Sequence, residues 1–287
     1  MLTREEFLAF RELIHRHTGI FLADAKHALV NARLRRRLLF HNLDSFTDYY
    51  RILIEEGVNG GEFREMINCI TTNKTDFFRE PHHFEFVRDV FLPEMQHLAS
   101  VRLVPRKIRV WHAGCSTGEE PYTMGMTLME SLANFQAWDV RQLASDIDTN
   151  VLDFAEAGIY DQERIDKVPE TLRQRYFMKG KGKRDGLYKV VPPLRSLVTF
   201  RQINLLADQW PIRSDVRFDV IFCRNVMIYF DKPTQKKLLE RFSSLLRPGG
   251  YLLIGHSESM LGLSDRYESL GKTIYRLART NALVEAA

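Results

Sequence analysis

The stretch that decides the fold reads Ile108-Arg-Val-Trp-His-Ala-Gly-Cys-Ser-Thr-Gly-Glu-Glu-Pro-Tyr122. Its apolar start predicts a buried strand. Gly114 and Gly118 predict a tight turn, because glycine permits backbone conformations and ligand approach that a side chain would block. Pro121 suits the first turn of a helix, where its missing N–H costs nothing. The next predicted strand ends on Asp146, and α/β nucleotide sites hold an adenosine with this order of a glycine turn and a later acid.

The glycine spacing distinguishes two classes of cofactor. A dinucleotide fold uses G-x-G-x-x-G, so that a pyrophosphate lies on a helix N-terminus. Here three residues separate Gly114 from Gly118, and Glu119 and Glu120 begin the helix. Two carboxylates would repel a pyrophosphate and attract a cation such as S-adenosylmethionine, which carries a sulfonium and an ammonium but no phosphate. The alternative is an ordinary strand–turn–helix whose acids favour the helix dipole.

Composition indicates an ordinary globular chain. The 287 residues suffice for one large core or two smaller ones, and 45% are hydrophobic and 27% charged. No apolar run approaches the ~20 residues that span a bilayer, and the N-terminus has no apolar signal core. The three scattered cysteines form neither a disulfide framework nor a zinc spacing. We expect a cytoplasmic protein without membrane insertion and without a metal.

The first 75 residues are predicted to be helical throughout. Thr3-x-x-Glu6 is a capping-box pattern, and Gly19 is a helix stop. Further helices are predicted over 44–57 and 62–70, before a turn-rich segment and a helix that Pro81 opens and that ends near Leu98.

A basic run lies in this helical region, which has no acid between Asp24 and Asp44. On a helix, Arg33, Arg36 and Arg37 fall within an arc of about 100°, beside an apolar stripe. This pattern favours an acidic partner, and the alternative is a solvated basic face. No aromatic residue interleaves the run as base stacking requires, so nucleic acid is not expected.

From residue 108 the pattern alternates strand and helix, which predicts a parallel sheet with right-handed crossovers. The predicted strands are 108–113, 140–145, 198–203, 218–223 and 251–255, with a terminal hairpin over 267–277. Ligands of such sheets lie at the carboxyl ends of the strands. One crevice should therefore be bordered by Gly114, Asp146, Asn204, Arg224 and Asn225.

A polar, basic segment between Gly158 and Arg195 interrupts this alternation. It contains two short strand patterns around Gly180-Lys-Gly182. The segment is too long for a crossover loop and predicts an inserted subdomain.

Together these blocks resemble chemotaxis receptor methyltransferases of the CheR family, which methyl-esterify glutamate side chains of chemoreceptors. The resemblance spans nearly the whole chain. Its carriers are Thr71-Thr-Asn-Lys-Thr-Asp-Phe-Phe-Arg79, Ser116-Thr-Gly-Glu-Glu-Pro-Tyr122, Ala144-Ser-Asp-Ile-Asp148, Cys223-Arg-Asn-Val-Met-Ile-Tyr229 and Gly255-His-Ser-Glu258.

The resemblance implies a Rossmann-like class I S-adenosylmethionine-dependent methyltransferase fold with three parts. An N-terminal helical domain over 1–75 would recognise the receptor, and 76–107 would hold a linker and a helix. A catalytic domain over 108–287 would bind S-adenosylmethionine, release S-adenosylhomocysteine and carry a small β-subdomain over about 158–195. The implied partners are the cytoplasmic domains of methyl-accepting receptors in arrays at the inner membrane, and the enzyme is expected to be a monomer.

The resemblance also implies residue roles. Asp146 would take the ribose hydroxyls and Glu120 the positive end of the cofactor, while Arg79 and Tyr229 would orient the acceptor carboxylate. The full set implied to bind the cofactor is Asn73, Thr75, Arg79, Gly114, Glu120, Asp146, Asn204, Leu205, Arg224 and Asn225. The set implied to bind the receptor is Arg33, Arg36 and Arg37, with Gly180 and Gly182 for a C-terminal pentapeptide. For these two glycines the alternative is a plain hairpin turn.

Two other classes of protein share such a cofactor fold. Nucleic-acid methyltransferases that act on amino groups carry an Asp/Asn-Pro-Pro-aromatic turn after the fourth strand, where this chain has Arg224-Asn-Val-Met. A non-catalytic cofactor sensor could lose Arg79 and Tyr229, and both are present.

Overall fold

Four helices form the N-terminal region of the computed structural model, which describes residues 1–278. The predicted capping box is confirmed, because the Thr3 hydroxyl accepts the Glu6 N–H and the Glu6 carboxylate accepts the Thr3 N–H. Gly19 ends this helix with a φ of 69°. The four helices are α1 Arg4–Thr18, α2 His27–Phe40, α3 Phe46–Glu56 and α4 Gly61–Ile70.

Their buried side chains make one apolar core around Phe10, Ile14, Leu34 and Tyr49. Helix α3 begins two residues later than predicted, because the Ser45 hydroxyl caps it by accepting the N–H of Asp48.

Residues 82–100 form one helical stretch in three parts, of which the middle part was not predicted. A proline inside a helix removes one hydrogen bond and crowds the preceding turn, and Pro93 lies two residues after the end of the widened π-helical turn. The three parts are α5 His82–Phe86, the π-helical turn Val87–Phe91 and α6 Leu92–Ser100.

The remaining chain alternates strands and helices, as predicted. Its strands are β1 Lys107–Ala113, β2 Asp139–Asp146, β3 Ile159–Asp161, β4 Phe177–Lys179, β5 Leu187–Val190, β6 Val198–Gln202, β7 Phe218–Cys223, β8 Leu246–Ile254, β9 Tyr267–Ser269 and β10 Ile274–Leu277. Its helices are α7 Glu119–Ser131, α8 Thr149–Ala157, α9 Gln162–Ile165, α10 Glu170–Tyr176, α11 Pro192–Arg195 and α12 Lys232–Leu245. Residues 279–287, which the expected catalytic domain includes, lie outside the described part.

Seven strands form the main sheet in the order β6-β2-β1-β7-β8-β10-β9. The first five are parallel, and β10 pairs antiparallel with both β8 and β9, so the Rossmann-like class and the terminal hairpin are confirmed. Strand β8 begins five residues earlier than predicted. Its pairing with β7 shifts register after Leu246, and Gly249, with a φ of 75°, makes this irregularity possible.

The inserted subdomain is a three-stranded antiparallel sheet in the order β3-β5-β4. The sequence predicted β4 and β5 but not β3. Tyr160 of β3 is fully buried, packs edge-on against Phe77, and donates its hydroxyl to the carbonyl of Thr117. The subdomain is therefore attached directly to the glycine turn after β1.

Within residues 1–278, no helix is long and apolar enough to cross a membrane.

Candidate active site

One cleft lies at the carboxyl ends of the parallel strands and is covered by the helical domain. The predicted cofactor residues all border it, as does Tyr229, so the structure brings together Asn73, Thr75, Arg79, Gly114, Glu120, Asp146, Asn204, Leu205, Arg224, Asn225 and Tyr229.

The turn after β1 requires both of its glycines. Gly114 and Gly118 have φ values of 90° and 93°, which L side chains rarely adopt. A Cβ on Gly114 would lie 2.3 Å from the Val226 side chain, and one on Gly118 would lie 2.8 Å from Ala155. The N–H groups of Gly114 and Cys115 both donate to the Ser145 carbonyl, so the turn is tied to the end of β2.

Asp146 lies on the floor of the cleft. Its carboxylate accepts the backbone N–H of Ser116 at 2.8 Å and that of Asp148 at 3.1 Å. Burial raises the pKa of Asp146 to about 6, against the opposing effect of these hydrogen bonds. The group is therefore mainly ionised at neutral pH and protonated in mild acid.

The linker before α5 is fixed against this floor. The Asn73 amide donates to the Asp148 carboxylate at 2.7 Å, and the Ser116 hydroxyl donates to the Asn73 carbonyl at 2.9 Å. Arg79 donates to the Lys74 carbonyl at 2.8 Å, so the linker is closed on itself beside the cleft. The amide nitrogen of Asn73 is thus paired with Asp148, and contact of Asn73 with the cofactor stays a prediction.

The two acids at the start of α7 have different surroundings, which corrects the expectation that both attract a cation. Glu119 does not border the cleft and is buried against Thr117 and Arg164. Glu120 borders the cleft and accepts hydrogen bonds from His112 at 2.8 Å and Arg224 at 2.9 Å. Although burial alone would raise the pKa of Glu120, the hydrogen bond from His112 and the charge of Arg224 lower it below its ordinary value.

Arg224 is a buried part of the cleft wall. Besides Glu120, its guanidinium donates to the Arg79 carbonyl and lies 3.4 Å from the Glu80 carboxylate. Its charge is therefore shared between two carboxylates, and it joins the linker to the end of β7.

The adenine end of the expected site borders the helical domain. The Asn204 amide donates to the His17 carbonyl at 2.6 Å and accepts the Leu206 N–H at 2.9 Å. Leu205 is buried beside it. The N–H of Phe21 donates to the carbonyl of Tyr229 at 2.8 Å, so the helical domain also contacts the loop after β7.

Sequence reasoning missed part of the cleft lining. Ile147 stands inside the Asp-Ile-Asp motif, so its position next to Asp146 was the available signal. The lining residues from the helical domain carry no local signal, because only the tertiary fold brings them to the strand ends: Thr18, Ile20, Phe21, Leu22, Lys26 and Leu29.

The three arginines of α2 that were expected to bind the receptor lie away from the cleft, and two of them make contacts within the chain. Arg37 pairs through two nitrogens with Glu62, whose side chain is only 5% exposed and also accepts the Tyr49 hydroxyl. Arg33 donates to the carbonyls of Ile70 and Thr71 at the end of α4. Arg36 is exposed. The structure therefore does not present one free stripe, because two of its members hold the helical domain together.

Gly180 and Gly182 lie in the loop between β4 and β5. The Gly180 N–H donates to the Leu187 carbonyl at 2.8 Å, and a Cβ on Gly180 would lie 2.0 Å from the Arg184 carbonyl oxygen. Gly182 has a φ of 61°. Hairpin geometry alone thus requires these glycines, and their contact with a receptor peptide stays a prediction.

One group of three potential metal ligands occurs among residues 1–278, namely Glu80, His82 and His83, with ligand atoms within 4.8 Å of one another. The Glu80 carboxylate already contacts Arg224 at 3.4 Å and His256 at 2.9 Å. A neighbouring cation disfavours a divalent ion at the same carboxylate. That the reaction uses no metal stays a prediction.

Comparison with known proteins identifies the family. Residues 5–71 match the model of the CheR methyltransferase all-alpha domain, and residues 73–276 match that of the CheR methyltransferase SAM binding domain. Chemotaxis protein methyltransferase 2 of Pseudomonas aeruginosa is 47% identical over 273 residues, which cover 95% of this chain and 93% of that protein. Chemotaxis protein methyltransferase of Escherichia coli is 43% identical over 279 residues, covering 97% and 92%. The chain belongs to the CheR methyltransferase family and is an S-adenosylmethionine-dependent methyltransferase that acts in chemotaxis.

Proposed function

We propose that this enzyme methylates glutamate side chains in the cytoplasmic domains of methyl-accepting chemoreceptors, as the sequence motifs shared with the family imply. The observation that carries the proposal is the convergence of Asp146, Glu120, Arg79 and Tyr229 on one cleft. In this cleft Asp146 would hold the ribose and Glu120 would face the cationic end of the cofactor. Arg79 and Tyr229 would hold the acceptor carboxylate in the same space.

The residues of the cleft suit S-adenosylmethionine. Asp146, mainly ionised at neutral pH, can accept ribose hydroxyls, and the apolar side chains of Ile147, Ile203 and Leu205 border the same cleft. Glu120 would face the cationic end, although it shares its charge with Arg224. When bound, S-adenosylmethionine supplies a methyl group that is already activated on a sulfonium.

The proposed acceptor explains why no general base is needed. A glutamate has a pKa of ~4.3 and is already ionised at neutral pH. The remaining task is to align the carboxylate and exclude water, and alignment alone contributes ~7–11 kcal/mol in well-oriented systems. Arg79 would orient the acceptor by charge and Tyr229 by a phenolic hydrogen bond. A modest hold by Arg79 suits catalysis, because tight ground-state binding would slow the reaction.

The finer part of the proposal concerns recruitment. The exposed Arg36 of α2 would contact an acidic receptor surface, and the β4–β5 hairpin would bind the receptor's C-terminal pentapeptide as an added strand. The enzyme would act as a monomer in the cytoplasm, held near receptor arrays at the inner membrane, without a metal and without nucleic acid.

The test is methyl transfer from labelled S-adenosylmethionine to a purified receptor cytoplasmic fragment, with DNA and RNA as competing acceptors. We expect label on the receptor that mild base releases as methanol, since carboxyl esters hydrolyse and methylated amines do not. A receptor fragment whose acceptor glutamates are replaced by alanine is the matched control. Label on nucleic acid, or base-stable label on the receptor, would contradict the proposal.

A further inference from the structure

Glu258 is a buried carboxylate beside the cleft, and the proposed methyl transfer assigns no role to it. It is 8% exposed, and its oxygens accept the backbone N–H groups of Asn225 at 2.9 Å, Gly255 at 2.6 Å and Ile228 at 3.2 Å. Among the ion pairs formed within residues 1–278, none includes this carboxylate. Its oxygens therefore take their hydrogen bonds from three backbone donors that belong to two separate segments.

Two of these donors belong to the segment 224–229, which follows β7 and carries Arg224, Asn225 and Tyr229 into the cleft. Asn225 has a φ of 59°, a left-handed conformation that persists only where its surroundings hold it. The short 3₁₀ turn Met227–Tyr229 follows, and no side chain of the residue before it caps it. Glu258 supplies that capping from the loop after β8.

The third donor fixes Glu258 itself. Gly255 directly follows β8 and touches the segment so closely that a Cβ there would lie 2.8 Å from the backbone nitrogen of Asn225. The Glu258 N–H returns a hydrogen bond to the Gly255 carbonyl at 2.9 Å. The carboxylate is thus held on the rigid end of a buried strand while it holds the cleft segment.

We infer that Glu258 is a positioning residue for methyl transfer: it fixes the segment 224–229, so that Asn225 stays against the cofactor and Tyr229 against the acceptor. The inference rests on the proposed function, because it assigns Tyr229 to the acceptor. The physical reason is that three backbone N–H groups donating to one carboxyl group from two segments make directional hydrogen bonds that fix these segments against each other. Without the carboxylate, these donors are left unpaired and the segment can move.

The test compares Glu258→Gln with Glu258→Asp and with Glu268→Gln, which changes an exposed glutamate of β9 in the same way. In Glu258→Gln an amide NH2 group replaces one carboxylate oxygen and cannot accept a hydrogen bond from the backbone N–H groups that face it. We therefore expect kcat to fall about 10- to 100-fold, as it does in other enzymes when a reacting group is displaced by about 1 Å. The Kd of S-adenosylhomocysteine should rise by a smaller factor than kcat falls, because most of the proposed cofactor-binding residues lie outside the segment 224–229. Aspartate keeps the charge and should restore part of kcat, and Glu268→Gln should match the wild type.

Two further measurements separate positioning from folding. Thermal unfolding gives the temperature below which each variant is fully folded, and kcat is compared only there. Amide hydrogen exchange of a peptide covering 224–229 should be faster in Glu258→Gln, with the β1 peptide unchanged.

The outcomes are distinct. A variant with wild-type kcat and wild-type exchange overturns the inference, and so does a loss of kcat that follows only the loss of folded protein. If the wild type itself does not methylate the receptor, the proposed function fails, and the exchange measurement still decides whether Glu258 holds this segment.

Discussion

Three carboxylates near the start of α7 and the end of β2 differ in their partners. Asp146 has two backbone N–H donors and a pKa raised by burial to about 6. Burial also raises the pKa of Glu119, which pairs with Arg164 away from the cleft, whereas hydrogen bonding and charge lower that of Glu120. Asp146 is therefore the one of the three that both borders the cleft and has a raised pKa.

The first prediction concerns Asp146 and pH. If its ionised carboxylate accepts the ribose hydroxyls, the affinity for S-adenosylhomocysteine should rise about tenfold between pH ~5 and ~7, because ionisation rises from a tenth to nine tenths across a pKa of about 6. Calorimetry at several pH values measures this. Asp146→Asn should bind about 10- to 100-fold more weakly at pH ~7 and lose the pH dependence, since hydrogen bonds to charged groups are worth about 1.5–3 kcal/mol.

The ionisation of Asp146 should change the free energy of unfolding in the direction opposite to its effect on cofactor affinity. Its pKa is higher in the folded than in the unfolded chain, so the folded state holds more protons between pH ~4 and ~6. The free energy of unfolding of the ligand-free enzyme should therefore decrease as pH rises through this window. An affinity for S-adenosylhomocysteine that does not depend on pH would contradict the role of the Asp146 carboxylate, and the same pH dependence in Asp146→Asn would show that another group titrates.

The second prediction separates the two proposed catalytic residues. Tyr229→Phe removes only a hydroxyl, so kcat should fall with little change in cofactor affinity. Arg79→Ala should lower kcat further and also weaken cofactor binding, because Arg79 borders the cleft and closes the linker on Lys74. Single-turnover methylation with saturating cofactor measures the first effect and calorimetry the second. Wild-type turnover in either variant would exclude that residue from the reaction.

At the scale of helices and strands, the sequence predicted the strands of the main sheet and which of their ends meet, but not β3 or the π-helical turn. The glycine turn, the acid after β2 and the segment after β7 could be placed in one crevice because parallel strands share a carboxyl end. What could not be predicted is the partner of each charge. Glu119 meets Arg164 across 45 residues, and Arg37 meets Glu62 across 25, and neither separation leaves a periodic pattern.

The third prediction follows for α2. Arg36→Glu should raise the KM for the receptor and leave the melting temperature nearly unchanged, since exposed ion pairs are worth only ~0.2–1 kcal/mol each and are screened by salt. Arg37→Glu should instead unfold the helical domain at lower temperature, because it removes the arginine partner of the buried Glu62 and puts a second carboxylate beside it, at a cost of about 3–5 kcal/mol. Receptor methylation kinetics and thermal melts measure the two effects. An unchanged KM in Arg36→Glu at low salt would make this part of α2 a solvated face.

The fourth prediction concerns the β4–β5 hairpin. Reversing the exposed charges of Lys181 and Lys183 should weaken capture by an immobilised receptor-tail peptide and spare cofactor binding, because the hairpin does not border the cleft. The same reversal at Lys236 and Lys237, exposed on α12, is the control. Equal capture by wild type and both variants would leave the hairpin glycines with a structural role only.

At the scale of the whole molecule, the cleft belongs to both domains. Asn68 of α4 exchanges two hydrogen bonds with Thr149 at the start of α8, and Asn204 donates to the His17 carbonyl of α1. The helical domain also supplies lining residues such as Phe21 and Leu29. The sequence predicted each domain but not that the first covers the cofactor site of the second, because these contacts join residues 81 or 187 positions apart.

The fifth prediction is that the cofactor product stabilises both domains together. A ligand at 100 times its Kd adds about 2.7 kcal/mol to the stability of whatever it binds in the folded state. Because the cleft is bordered by both domains, the full chain should unfold in a single calorimetric transition, and S-adenosylhomocysteine should raise the midpoint temperature of that transition. The tryptophans Trp111, Trp138 and Trp210 all lie in the catalytic domain, so their fluorescence follows that domain, while circular dichroism also follows α1–α4. The melting temperatures followed by fluorescence and by circular dichroism should therefore rise by the same amount. A fluorescence transition that moves while the helical signal melts at its ligand-free temperature would show that the helical domain covers the cleft without binding the ligand.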